Sequence, residues 1–265
     1  MREEPILREM TEKDWPEFHS FDIHSFGDDT MKRDSFLKRV TREGFFALEI
    51  KKEIVGQLIV APFGDDQGHL GRVAVAPKHQ SKGYGSILVR EALKWFRKKG
   101  IKSIHLYTQQ DNYIAQGLYK KFGFEISGQA WQFFVPLQSL KGKGLYTCHP
   151  IKKDEIKYVE EKYNSFPEGQ IQQFLQFQHL VFTLKNDALE IVGACRFTPS
   201  FPGCFPFEID LLDSFDDFII GLKPYMLPQF DYIRITQNDN EKLTKECEKR
   251  GYDLHHKLFK MTLFL

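Results

Sequence analysis

Arg72-Val-Ala-Val-Ala-Pro77, followed at once by Gln80-Ser-Lys-Gly83-Tyr-Gly85, reads as a strand that stops at a proline and runs into a glycine loop opening a helix. That order places free backbone N–H groups and the positive end of a helix at one spot, which is a seat for phosphate. Two glycines near a helix start are a weak signal alone, because a tight turn also uses them. The signal strengthens downstream, where a further helix and strand lead to Asn112-x-x-Ala115-x-x-Leu118-Tyr119-x-x-x-Gly123-Phe124. Two other phosphate loops are disfavoured. Leu88 stands where a dinucleotide fingerprint needs its third glycine, and no G-K-[ST] occurs at Walker spacing.

Taken together, the strand, loop, helix and later motif resemble the GNAT superfamily of acyl-CoA-dependent N-acyltransferases over about the first half of the chain. The resemblance implies an α/β (α+β) fold, with a mixed, mostly antiparallel sheet flanked by helices. It implies acetyl-CoA as cosubstrate, with the pyrophosphate held by the loop residues Gln80, Ser81, Lys82, Gly83, Tyr84, Gly85 and Ser86. Val73 and Val75 would offer main-chain groups to the pantetheine arm as to an added strand, one N–H polarising the thioester carbonyl. Lys82 and Lys121 would add charge near the phosphates, and Asn112 would touch the cofactor while capping its own helix. Tyr119 is the implied catalytic residue: a phenol of pKa about 10 is protonated at neutral pH and can donate to the departing thiolate.

The acceptor implied is a primary amine, on a small molecule or a protein. No general base stands out; Glu49 and His69 are candidates by placement alone. His79 reads as solvent-exposed. His255 and His256, adjacent on a strand, should point to opposite faces, so no metal site is expected. A different class stays open beside the enzyme: a non-catalytic acyl-CoA-binding or sensor module.

Composition bounds the rest. The 265 residues, 42% hydrophobic and 28% charged, describe a globular protein of about two domains. The start, Met1-Arg-Glu-Glu-Pro-Ile6, lacks the apolar run of a signal peptide, and no stretch approaches the ~18 apolar residues of a membrane span, so a cytoplasmic location without membrane partners is expected. Four cysteines, Cys148, Cys195, Cys204 and Cys247, form no C-x-x-C pair and read as reduced thiols. The net charge of +1 argues against a nucleic-acid partner, yet it is unevenly spread. Residues 72–121 carry eleven Lys/Arg against Glu91 and Asp111, suiting a polyanionic cofactor.

Internal similarity adds a second level. Glu53-Ile-Val-Gly56 recurs as Glu190-Ile-Val-Gly193, and Thr108-Gln-Gln-Asp-Asn112 as Thr236-Gln-Asn-Asp-Asn240, with Gly123-Phe124 falling on Gly251-Tyr252. These matches predict a tandem duplication: a catalytic copy over residues 1–138, a linker around Lys141-Gly-Lys-Gly144, and a degenerate copy over residues 144–265. The second copy has Leu211-Leu-Asp-Ser-Phe-Asp-Asp217 in place of the glycine loop and Cys247 in place of Tyr119. Its aspartates should repel phosphate and, lying beside the acceptor site, attract a cationic amine. A chain ending near Lys141 should then keep the cofactor seat.

Overall fold

The computed structural model describes residues 4–265. Alternating apolar residues and turn chemistry set out the first half as β1 (Ile6–Glu9), α1 (Trp15–Phe26), α2 (Arg33–Val40), β2 (Phe45–Ile50), β3 (Glu53–Phe63), β4 (Gln67–Val75), α3 (Tyr84–Lys98), β5 (Ser103–Gln109), α4 (Tyr113–Lys121) and β6 (Glu125–Pro136). The second half repeats the order as β7 (Thr147–Pro150), α5 (Ile156–Lys162), α6 (Gln170–Gln176), β8 (Leu180–Lys185), β9 (Ile191–Thr198), β10 (Gly203–Ile209), α7 (Phe215–Leu222), β11 (Tyr232–Asn238), α8 (Glu241–Lys249) and β12 (Asp253–Phe264). The duplication reaches atomic detail at the caps. Asn112 Oδ1 accepts from the Ala115 N–H at 3.0 Å, and Asn240 Oδ1 accepts from the Leu243 N–H at 3.0 Å. Each asparagine satisfies an N–H that the helix start would otherwise leave unpaired.

All twelve strands form one sheet, in the order β1-β2-β3-β4-β5-β12-β6-β11-β10-β9-β8-β7. The halves therefore exchange their last strands. β12 pairs antiparallel with β5 from Leu258 opposite Gln109 to Phe264 opposite Ser103, while β6 pairs with β11 from Tyr232 opposite Pro136 to Asn238 opposite Ala130. The two exchanged strands also pair with each other, joining the halves through continuous backbone hydrogen bonds. The cores follow the exchange. Met261 is fully buried among Leu106, Phe96 and Phe124 of the first half, whereas Phe133 and Val135 are fully buried in the core of the second.

This topology runs across the division at 1–138 and 144–265 that the sequence suggested. The chain does cross between halves at 137–144, but neither stretch closes its own sheet. A chain ending near Lys141 would lose β12, which covers the β5 edge, and β11, which pairs with β6. Among the described residues no helix is long and apolar enough to cross a membrane.

Met261→Ala should therefore destabilise the core around α3 and β5, although residue 261 lies in the second half of the sequence. We expect a loss of about 2–5 kcal/mol in urea unfolding. A loss under about 0.5 kcal/mol would contradict the exchanged packing.

Candidate active site

The site begins with an irregularity in β4. Against β3, Gln57 faces Ala74 but Ile59 faces Gly71, so β4 holds one residue more than its partner. Arg72 sits at this bulge with φ of 48°, a left-handed conformation that a side chain normally avoids. Its guanidinium is held by the fully buried carboxylate of Asp22 and by the Asp29 carbonyl at 3.0 Å. Asp22 is itself satisfied by the Met31 N–H at 2.8 Å and the Gln57 amide at 2.9 Å.

Beyond the bulge, β4 and β5 part. Their parallel register ends at His69 opposite His105, yet β4 continues to Val75 and β5 to Gln109. Because the Ala76 N–H bonds back to Val55 on β3, alternation turns the main-chain groups of Val73 and Val75 toward the open gap. The loop after β4 is tied to it by the Gln80 side chain, which donates to the Val75 carbonyl at 3.1 Å. Gly83, with φ of 88°, is the N-cap of α3, a backbone setting that favours glycine. Among the described residues, the backbone N–H groups of Ser81, Lys82, Gly83, Tyr84, Gly85 and Ser86 donate to no protein acceptor. Six consecutive free donors thus converge at the positive end of a four-turn helix.

These elements enclose a groove of about 460 Å³. Val73, Val75, Gln80, Ser81, Gly83, Tyr84, Gly85, Ser86, Asn112 and Tyr119 all line it. Lys82 and Lys121 do not: the Lys82 ammonium donates back to the Lys78 carbonyl at 2.7 Å, and Lys121 sits in the last turn of α4. Tyr119 is buried against Phe124, its ring 5.8 Å away, and burial pushes the phenol above its ordinary pKa. His24 and Ser25, at the end of α1, also line the groove, and no local motif pointed to them. His79 belongs there too, half-buried rather than exposed as expected.

Across β4 lies a second space. His69 to Arg72 line a cavity of about 410 Å³ whose far wall comes from the second half, including Arg196, Phe205 and Arg234. It shares Arg72 and Arg234 with a neighbouring cavity of about 470 Å³ under Phe26 and Lys32, so the two form one cleft between the halves. β4 passes from cleft to groove between residues 72 and 73.

Comparison with known proteins fits this geometry. Residues 7–124 match the model of the Acetyltransferase (GNAT) family. Residues 7–124 thus carry the sequence pattern of the GNAT superfamily. An N-acetyltransferase family 8 member 3 of Rattus norvegicus is 30% identical over 96 residues, 34% of this chain and 42% of its own. A streptothricin acetyltransferase of Escherichia coli is 32% identical over 79 residues, 30% of this chain and 45% of its own. The chain thus spans less than half the length of these two relatives. Two solved structures match the fold along nearly its whole length. A GCN5-related N-acetyltransferase from Sphaerobacter thermophilus superposes with a TM-score of 0.72 at 14% identity, covering 98% of this chain and 95% of its own. A tandem GNAT protein from the clavulanic acid biosynthesis pathway does so with a TM-score of 0.66 at 12% identity, covering 98% of each.

Within this GNAT fold, the two base candidates separate. Glu49 is held by Arg8 at 2.7 Å and lines neither groove nor cleft. His69 lines the cleft, where burial, with help from Arg196 and Lys260, lowers its pKa to about 4.

The aspartates of the second half do not face the acceptor side. Asp216 accepts from the Lys141 N–H at 2.7 Å and pairs with Arg250, while Asp217 accepts from the N–H groups of Gly144, Leu145 and Tyr146 at 3.0–3.2 Å. They hold the linker, and Asp213 joins them through the Tyr146 hydroxyl at 3.1 Å. The expected attraction of a cationic amine therefore has no source there.

His255 and His256 also depart from expectation. A register shift between Leu254 and His256 cancels the alternation, so the rings lie 3.8 Å apart and both approach Asp29. His256 Nε2 is 3.0 Å and His255 Nε2 3.9 Å from Asp29 Oδ2, while Arg234 donates to Oδ1 at 2.7 Å. These ligand types could hold a metal ion, but Arg234 already supplies a cation to the same carboxylate. The cluster joins the first half to the second at the rim of the cleft.

Burial pushes the Asp29 carboxyl up, but the bonds from His256 and Arg234 outweigh it and hold the pKa well below the carboxylate range. A depressed folded-state pKa gives stability that is complete above the unfolded value of about 3.9 and disappears as pH falls through the folded one. Urea midpoints taken from pH 6 down to pH 2 should fall in the wild type below about pH 4. In Asp29→Asn that part of the slope should be missing, and an unchanged slope would remove Asp29 from the acid response.

Proposed function

We propose that the chain is an acetyl-CoA-dependent N-acetyltransferase whose single cofactor seat is the groove between β4 and α3, and whose amine acceptor enters through the cleft between the halves. The observation that carries this reading is the row of six free N–H groups at the start of α3, continuous with the open edge of β4. A pyrophosphate has the charge and the acceptor oxygens to satisfy such a row. The gap between β4 and β5 then admits an extended amide chain that pairs with the main chain at Val73 and Val75. An N–H aimed into the gap polarises the thioester carbonyl as negative charge develops on it.

The remaining steps fall to side chains. An amine arriving from the cleft attacks the carbonyl carbon, and the C–S bond breaks as the tetrahedral intermediate collapses. Tyr119, kept protonated by burial, gives its proton to the departing sulfur, and the phenolate is restored by the proton that the attacking nitrogen sheds as the amide forms. His69 stays neutral at physiological pH, so it presents a lone pair rather than a charge to the incoming ammonium. Its place on the cleft wall makes it the group that can hand the amine's proton to water. The second half has no glycine loop at α7, and Cys247 is buried where Tyr119 stands in the first, which supports a degenerate copy that binds no cofactor.

Two substitutions test the reading. Ser86→Asp puts a carboxylate in the first turn of α3, where it favours the helix but faces the pyrophosphate. Thermal stability should hold while acetyl-CoA affinity by calorimetry drops by roughly 10-fold or more, from one site per chain in the wild type. Undiminished affinity would move the cofactor elsewhere. Tyr119→Phe keeps the packing and removes the proton, so kcat should fall about 10- to 1000-fold with little change in KM for acetyl-CoA. Wild-type turnover would leave Tyr119 as packing alone.

A further inference from the structure

The cleft between the halves carries an uncompensated positive charge. Three guanidinium groups line its inner cavity, from Arg72, Arg196 and Arg234, and no Asp or Glu does. Two of the three are neutralised, Arg72 by Asp22 and Arg234 by Asp29. Arg196 makes no ion pair among the described residues. Its Nε donates to the Phe205 carbonyl at 2.6 Å, which fixes the direction of the guanidinium, and its two terminal nitrogens find no protein acceptor. Phe174 supports the group from one side, its ring centre 5.2 Å away.

A cation sunk in a protein wall without an anion is costly unless a ligand supplies the counter-charge. The surroundings register the imbalance. After burial itself, Arg196 is the next cause that lowers the pKa of both His69 and His179, each to about 4. Arg196 is itself lowered by burial only to about 10, so it remains a cation at physiological pH.

We propose that Arg196 is the seat for a carboxylate on the acceptor, which makes the substrate class a small amine that also bears a carboxylate, such as an amino acid. The cavity of about 410 Å³ suits a molecule of that size, and Phe201, Phe205 and Leu258 offer it apolar walls. A planar guanidinium with two free edges matches a carboxylate in a fork. His69 and the end of the β4–β5 gap lie on the opposite wall, so the amine can point toward the thioester while the carboxylate is held. The second half thus contributes specificity through a base, where its acidic composition had suggested the reverse.

This inference rests on the acetyltransferase reading, and the experiment separates the two. Full-length protein with saturating acetyl-CoA is offered each proteinogenic amino acid and, separately, its carboxamide, with thiol release as readout. The acid should be preferred over its own amide by roughly 10- to 100-fold in kcat/KM, the worth of a charge-assisted hydrogen-bond pair. Arg196→Gln should bring that ratio to about one by raising KM for the acid, with acetyl-CoA affinity unchanged, and Arg196→Lys should recover part of it. A wild type that accepts amides as well as acids, or a ratio that survives in Arg196→Gln, overturns the carboxylate seat and leaves the acetyltransferase reading intact. Saturation-transfer NMR with N-acetyl-L-leucine needs no turnover. Binding in wild type that is lost in Arg196→Gln and absent for N-acetyl-L-leucinamide supports the seat even if no amine is acetylated, an outcome that would count against the enzyme reading alone. No transfer to the probe in wild type overturns the seat.

Discussion

The hydrogen-bonded exchange of β6 and β12 is the constraint on which the other features depend. A parallel strand such as β5 leaves a free edge, and that edge is filled by a strand arriving from the far end of the chain. The reciprocal strand fills the edge of β11, so both cores close together. The sheet is left with two outer strands, β1 and β7, each only four residues long. Short edges offer little template for pairing with other chains. The same exchange sets the walls of the cleft, because Gln132 on β6 and Leu258 on β12 line its inner cavity.

Within that frame the bulge at Arg72 divides β4 into two working segments. Residues before it pair with β5 and face the cleft, and those after it run along the open gap. A left-handed arginine persists only where its surroundings over-determine it, and the buried Asp22 does so with all its bonds satisfied. The strained residue thereby becomes the junction between groove and cleft. Strain at such a point is consistent with a role in positioning, since a relaxed strand would keep its pairing with β5 and close the gap.

The two copies have kept one backbone plan and parted in their polar chemistry. At the start of α3, free N–H groups await an anion. At the start of α7, Asp216 and Asp217 are the anions, and the N–H groups they bind belong to the linker. A net charge counted along a segment could not distinguish these uses, because buried aspartates that accept backbone hydrogen bonds contribute little field at the surface. Asp213, Asp216 and Asp217 are spent on holding the chain crossing, and the cleft receives arginines instead.

Much of this protein was legible in its residues because the information was local. The glycine loop, the Asn112 and Asn240 caps, the order of elements and the duplication each depend on windows of a few residues, where periodicity and φ requirements act directly. His255 and His256 were misread because a bulge, invisible in the local pattern, shifts the face of every residue beyond it. The strand exchange was hidden for a stronger reason. β6 and β12 are equivalent strands of two copies, so either pattern can complete either sheet, and the choice lies in pairing over more than a hundred residues. Tertiary structure alone also decided which charges find partners: Arg72 and Arg196 look alike in sequence, but only one of them meets a carboxylate.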